Sequence, residues 1–192
     1  MNTRLLLEEL QSKTSFSEED FPEYLKLFEP LVLKKKYHLY QSGDIVKYVC
    51  FILKGCLRHY YVNEDAIERT VLIAEERWWI GDLTSFQDNT PTNLNLQAVE
   101  DCDLLLINKQ HFERALSEFP EFANYYRKGT QKTYIKLQEQ VGQSLADSAE
   151  TKYLRLLKER PSLIQRVPQH YIASYLGITP ESLSRVRKKL SS

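Results

Sequence analysis

The feature that most constrains this chain is a change of apolar rhythm part-way along it. From Leu31 to Ile107 the sequence runs in short stretches (KKKYHLYQSG, KYVCFILKG, CLRHYYV, RTVLIA, NLNLQAVED and CDLLLI), rich in Val, Ile, Leu, Tyr and Cys and separated by turn-prone GD, NED and DNTPTN. Such runs predict an antiparallel β domain, either a barrel or two facing sheets. After Ile107 the period lengthens to three or four residues. Asn108 is placed to cap a helix through Phe112, Ala115 and Leu116, which Pro120 stops. Beyond Pro120, the residues Phe122, Tyr126, Gly129, Thr133, Leu137 and Val141 recur on one narrow seam. A helix of about 20 residues spans roughly 30 Å, a length suited to joining two lobes or pairing with a copy of itself. These six residues are therefore candidate dimer contacts, with Gly129 allowing two backbones to approach closely; packing along the chain's own β domain is the competing use.

Ahead of the β region, Leu5, Leu6, Leu10 and then Phe21, Tyr24, Leu25 and Phe28 fit two short helices around SFSEED. Behind the long helix, Ala149, Tyr153, Leu156 and Leu157 mark one face of a further helix that Pro161 ends.

The last fifth of the chain differs in charge as well as in rhythm. Residues 1 to 150 hold 17 Lys or Arg against 24 Asp or Glu, a net −7, whereas residues 151 to 192 hold 9 against 2, a net +7. Cations gathered at one end suit a polyanion, since neutralising phosphates releases counterions; a solvated basic tail is the plainer alternative. The stretch IASYLGITPESLSRVRKKL tips the balance. Pro168 suits a helix start, and Ile172, Ala173 and Leu176 turn inward before Gly177, which can take the left-handed conformation that ends a helix. Thr179 is then an N-cap, Pro180 fits the first turn, and Glu181 favours the positive end of the helix dipole. Small Ala173 lets the second helix cross closely, while Leu183, Val186 and Leu190 form its inward stripe. That spacing is a helix-turn-helix. Its outward residues are the candidate DNA contacts: Arg185 for guanine O6 and N7, Glu181 for cytosine N4, and Thr179, Ser182, Ser184, Arg187, Lys188 and Lys189 for the backbone.

Other chemistries find little support. No GxSxG, P-loop, HExxH or dinucleotide fingerprint is present, so catalysis is not expected. The scattered cysteines Cys50, Cys56 and Cys102 read as buried thiols, and neither a metal site nor a cofactor is expected. No apolar run approaches the roughly 18 to 20 residues of a membrane helix, and the start MNTRLLLEELQSK lacks a signal-type stretch, so a cytoplasmic protein without membrane association is expected.

At this point the chain resembles the Crp/Fnr superfamily of bacterial transcription regulators over nearly its whole length. The resemblance is carried by ITPESLSRVRK, in which Glu181, Ser182 and Arg185 match the recognition-helix pattern, and more loosely by Gly43, FILKG at Phe51 to Gly55 and IGDL at Ile80 to Leu83. It implies an α+β fold in three parts: an antiparallel β-roll sensor of the cyclic-nucleotide-binding, jelly-roll-like type over residues 1–118, a dimerisation helix over 119–143 and a helix-turn-helix domain over 144–192. It further implies a homodimer that reads a roughly palindromic site on double-stranded DNA, with RNA polymerase as a further partner and a small-molecule effector of unknown identity. Tyr60, Trp78, Trp79, Gly81, Asp82, Leu83, Thr92 and Asn93 are the candidate effector contacts, with Tyr61 and Phe86 alongside; burial of the aromatic rings in the core is the competing reading.

The chain departs from the cyclic-AMP-binding members in one respect that bears on chemistry. Asp82 stands where the ribose-binding Glu would be, Thr92 or Asn93 where the phosphate-binding Arg would fall, and no Lys or Arg occurs from Trp78 to Asn108. A cyclic phosphate buried there would lack its charge-assisted bonds, so cyclic AMP is not the expected effector. Residues 1 to 49 contain no cysteine, which removes the ligands of an iron–sulfur cluster. A sensing adaptor that does not read DNA sequence is the alternative function.

Overall fold

The computed structural model describes residues 1–144 and 147–190, without the side chains at 136, 137 and 139–144. Two helices open the chain, α1 (Arg4–Gln11) and α2 (Phe21–Leu25), as the early apolar spacing predicts. The β region follows with β1 (Glu29–Leu33), β2 (His38–Tyr40), β3 (Tyr48–Lys54), β4 (Leu57–Val62), β5 (Glu68–Ala74), β6 (Trp79–Ile80), a short helix α3 (Leu83–Asp88), β7 (Asn95–Ala98) and β8 (Cys102–Asn108). Helices α4 (Lys109–Glu118) and α5 (Pro120–Ser144) come next, then α6 (Ala149–Glu159), α7 (Pro161–Arg166), α8 (Gln169–Leu176) and α9 (Pro180–Leu190). Pro161 therefore ends one helix and, at the first position where its missing N–H costs nothing, starts another.

The strands form two four-stranded sheets, ordered β1-β8-β3-β6 and β2-β7-β4-β5, which do not close into a barrel. Strand β8 is central in the first, running antiparallel to β1 from Glu29↔Leu106 to Leu33↔Cys102 and antiparallel to β3 from Tyr48↔Asn108 to Ile52↔Leu104. Its Leu104 to Ile107 run and the Val49 to Leu53 run of β3 are buried throughout, as continuous apolar strands must be when both faces are covered. Gly55 makes the β3–β4 connection possible. Its φ is +98°, and a Cβ there would lie 2.6 Å from Cys102 Sγ and 2.7 Å from the Asp101 carbonyl. All three cysteines are buried, and desolvation raises the thiols of Cys50 and Cys102, the latter to about 12.

By contact density the chain divides into two units, residues 1–59 with 73–133 and residues 60–72 with 134–192. The first is held by an aromatic cluster. Tyr24 meets Phe16, Phe28, Phe119 and Phe122 at 5.1 to 5.3 Å between ring centroids, and Phe112 meets Phe86, Phe122 and Tyr126 at 5.1 to 5.9 Å. The chain's aromatic content is thus largely spent on packing. Asn108 caps α4 as predicted, its side chain accepting from the His111 amide at 2.9 Å.

The second unit packs Tyr153, Leu156, Leu163, Val167, Ile172, Ala173 and Leu183 into a small helical core. Two apolar residues read as inward are not. Leu157 is 40% exposed because it turns off the Tyr153–Leu156 stripe, and Leu190 is 43% exposed because it lies about two turns past Leu183, the last buried residue of α9. The 60–72 hairpin, assigned by sequence to the β region, groups here with the helices through Ser174. Its hydroxyl accepts from the Thr70 amide at 2.9 Å and donates to the Glu68 carbonyl at 3.1 Å, so one side chain of α8 completes the edge of β5. Among the described residues no helix is long and apolar enough to cross a membrane.

Candidate functional site

Helix α8 ends as its sequence requires. Gly177 has φ +68° and ψ +31°, and the Ile178 amide reaches back to the Ala173 carbonyl at 3.0 Å, the bond that closes a left-handed helix end. Thr179 caps α9, its Oγ1 accepting from the Ser182 amide at 3.2 Å. Fully buried Leu183 anchors the second helix while Val186 is half-buried. With that face turned in, Glu181, Ser184, Arg185, Lys188 and Lys189 are exposed and Arg187 is half-buried.

The first two turns of α9 carry a local polar chain. Thr179 donates to Ser182 Oγ at 3.1 Å, and Arg185 Nη2 donates to the same oxygen at 3.3 Å. The Glu181 backbone N–H, the Thr179 hydroxyl and the nearby Arg185 charge hold the Glu181 carboxyl below its ordinary range, so it is ionised and an acceptor. At the far end of α9, Lys189 pairs with Glu150 at 2.7 Å. Six of the eight residues read from sequence are thus exposed along about three turns, while Arg187 is half-buried and Ser182, also half-buried, is engaged in the cap network.

Residues proposed as dimer contacts are divided by the structure. Phe122 is 1% exposed, enclosed by Tyr24, Trp79 and Phe112 of its own chain, and so is not available to a partner. Tyr126 likewise packs edge-on to Phe112 at 5.1 Å. Gly129 and Thr133 are exposed, followed by Tyr134 at 62% and Ile135 at 54%. The side chains of Leu137 and Val141 lie outside the described residues.

The effector candidates are dispersed. Trp79 joins the core, 5.4 Å from Phe51 and 5.7 Å from Phe122 between ring centroids, which accounts for it without a ligand. Trp78, Leu83 and Asn93 are exposed and Tyr60 is buried. Gly81 is held close to β3, where a Cβ would fall 2.6 Å from Val49 Cγ1.

Only Asp82 and Thr92 come together, and they do so with residues that sequence reasoning missed. Asp82 caps α3 by accepting from the Thr84 and Ser85 amides at 3.1 and 3.3 Å, and its other oxygen accepts from Thr92 Oγ1 at 2.5 Å. The Asp82 amide donates to the Tyr40 hydroxyl at 2.9 Å, and that hydroxyl also bonds His59 Nε2. The Tyr40 oxygen thus accepts one hydrogen bond from Asp82 and shares another with His59, in which the imidazole tautomer sets which group donates. Burial raises the Tyr40 phenol and lowers His59 to about 4, which favours the neutral form of both. Ser85 closes the set, its hydroxyl donating to the Thr90 carbonyl at 2.6 Å and accepting from the Val46 amide at 2.9 Å. The only available sequence signals were a tyrosine and a histidine in separate β stretches, 19 residues apart, with nothing local to join them. Among the described residues no cluster of His, Cys, Asp or Glu is spaced to hold a metal ion.

Comparison with known proteins is consistent at the level of fold. Residues 30–119 match the cyclic nucleotide-binding domain family. FixK2 from Bradyrhizobium japonicum superimposes with a TM-score of 0.72 at 16% identity, covering 85% of this chain and 84% of that one. The c-di-GMP-responsive global regulator CLP of Xanthomonas campestris gives 0.70 at 17% identity, over 91% and 92% of the two chains. The catabolite activator protein of Thermus thermophilus gives 0.55 at 18% identity, over 95% and 86%. No curated protein sequence matches the chain.

Proposed function

We propose that this chain belongs to the Crp/Fnr superfamily, a reading supported by its fold and by the match of residues 30–119 to the cyclic nucleotide-binding domain family, and is a transcriptional regulator that reads a roughly palindromic DNA site as a homodimer. One observation carries the reading: Glu181, Ser184 and Arg185 stand exposed on the N-terminal half of a capped helix that follows a left-handed glycine turn. A helix so presented can enter a major groove, with Arg185 donating twice to guanine and Glu181, ionised, accepting from cytosine. Thr179, Ser182, Ser184, Arg187, Lys188 and Lys189 would hold the phosphates on either side.

A homodimer is supported by α5, where Gly129, Thr133, Tyr134 and Ile135 leave small and apolar groups uncovered beyond the intrachain core. The two recognition helices would then meet half-sites about one helical turn apart, and the bound dimer would act on RNA polymerase. Cyclic AMP is not the expected effector, since by the family resemblance Thr92 or Asn93 stands where the phosphate would need a cation.

Binding to the chain's own upstream region, followed at several salt concentrations, tests the roles separately. Arg185→Ala is expected to cost about 1 to 3 kcal/mol and relax preference at one base pair, whereas Lys188→Ala should weaken all duplexes alike and flatten the salt slope by about one unit. Identical behaviour of both variants on cognate and random duplexes would overturn the assignment.

A further inference from the structure

We propose that the roll is closed from within: Tyr40 and His59 act as a built-in occupant that fixes the Gly81 to Asn95 segment, so the chain takes its DNA-binding form without a small-molecule effector. The proposal rests on the regulator reading only for its DNA readout. Its foundation is a polar cluster that is both buried and complete. Tyr40, His59, Ser85, Thr92 and Asn95 are each under 8% exposed, where polar groups must find partners or carry a desolvation cost. They find them in one another and in the backbone.

The bonds stitch one end of the segment to strands β2 and β4 and the other to the turn that follows β2. At its start, Asp82 is held through its amide by Tyr40, at the end of β2, and through Tyr40 by His59 on β4. At its end, the Thr92 amide and carbonyl bond Asp44 and Gly43 at 2.9 and 2.8 Å, and the Asn95 side chain accepts from the Ser42 amide at 3.1 Å. The Thr92 hydroxyl joins the two ends, donating to Asp82 and accepting from the Leu94 amide at 3.0 Å.

A guest anion would meet unfavourable chemistry in this cluster. It would have to displace Thr92 from a carboxylate and would then face that carboxylate's charge. The buried cation of the roll, Arg58, is next to His59 on β4, and neighbouring strand residues point to opposite faces. Since His59 faces Tyr40, Arg58 faces away, and its Nε donates to Gln97 Oε1 at 2.9 Å.

Amide hydrogen exchange on the full chain tests the closure directly, with cyclic AMP and cyclic di-GMP at millimolar concentration as probes. In the ligand-free protein the amides of Asp82, Thr84 and Ser85 should be protected, and neither nucleotide should change them. Tyr40→Phe, which keeps the ring and removes the hydroxyl, should speed exchange at Asp82 on the order of tenfold, the equivalent of one lost hydrogen bond, and weaken binding to the upstream duplex by a similar factor. His59→Leu should act like it, whereas His59→Gln, which retains an acceptor, should restore most of the protection. Slowed exchange at residues 82 to 85 on adding either nucleotide to the wild type would overturn the proposal. So would a Tyr40→Phe chain that exchanges and binds DNA as the wild type does. If the wild type binds no duplex under any condition while the exchange pattern holds, the regulator reading fails and the closed roll stands.

Discussion

The surface of α9 and the Tyr40–His59–Asp82–Thr92 cluster are both polar constellations, and they are built in opposite ways. The candidate DNA contacts lie within eleven positions, from Thr179 to Lys189; Thr179, Ser182 and Arg185 are joined through the cap, and most of the set is exposed. In the roll the groups come from four separate stretches, are buried, and have meaning only once the strands have met. The first leaves most of its polar groups open to solvent; the second spends its hydrogen bonds internally. Substitutions on α9 should therefore change binding with little change in stability, whereas those in the roll should act through stability, with any change in binding following from it.

The largest expected effect lies in the roll. His59 is neutral when folded, with its value lowered to about 4 by burial against an ordinary 6.5, while Tyr40 and the Asp82 carboxylate face it. The unfolded chain therefore binds a proton that the native one refuses between these values. Stability from this residue is complete above pH 6.5 and is lost as pH falls toward 4, on the order of 3 kcal/mol in all. Urea midpoints of the wild type and His59→Gln at pH 7 and 4.5 would check this; equal acid sensitivity would show that the cluster does not depend on a neutral imidazole.

Next is Thr92→Val, which preserves shape and deletes the hydrogen bond to Asp82. A bond to a charged group is worth about 1.5 to 3 kcal/mol, so a loss of about 2 kcal/mol in chemical denaturation is expected. Retained stability would make the cluster no different from a surface patch. Gly177→Val sharpens the other side of the comparison. A β-branched residue at φ +68° should cost about 1 to 2 kcal/mol of the helical unit's stability in thermal melts. It should weaken duplex binding through α9's position rather than through any lost contact. Smallest is the Lys189–Glu150 pair: a double-mutant cycle should give under about 1 kcal/mol, as for exposed ion pairs generally.

The same contrast explains what could be read from the sequence. Helix-turn-helix signals are local, a glycine that must go left-handed and a threonine that caps three residues on, so Gly177, Thr179 and Leu183 stand where the sequence placed them. The order of helices and strands was legible for the same reason, since each element announces itself by its own period. Periodicity cannot say which neighbour a seam meets. Phe122 and Trp79 carried the spacing expected of an interface and of a pocket wall, and both were claimed by the aromatic core. Tyr40 and His59 were invisible, since no local rule joins a tyrosine to a histidine 19 residues away.

The Ser174 bridge to Thr70 and Glu68 has a practical consequence for anyone dividing the molecule. A fragment stopping at residue 133 would retain β5 but lose the side chain that shields its rim, leaving an amide and a carbonyl bare beside Ile67 and Val71, which are 46% and 47% exposed. Bare, apolar-flanked strand rims recruit one another. The isolated β-rich fragment should therefore self-associate during purification, whereas the intact polypeptide carries its own cover.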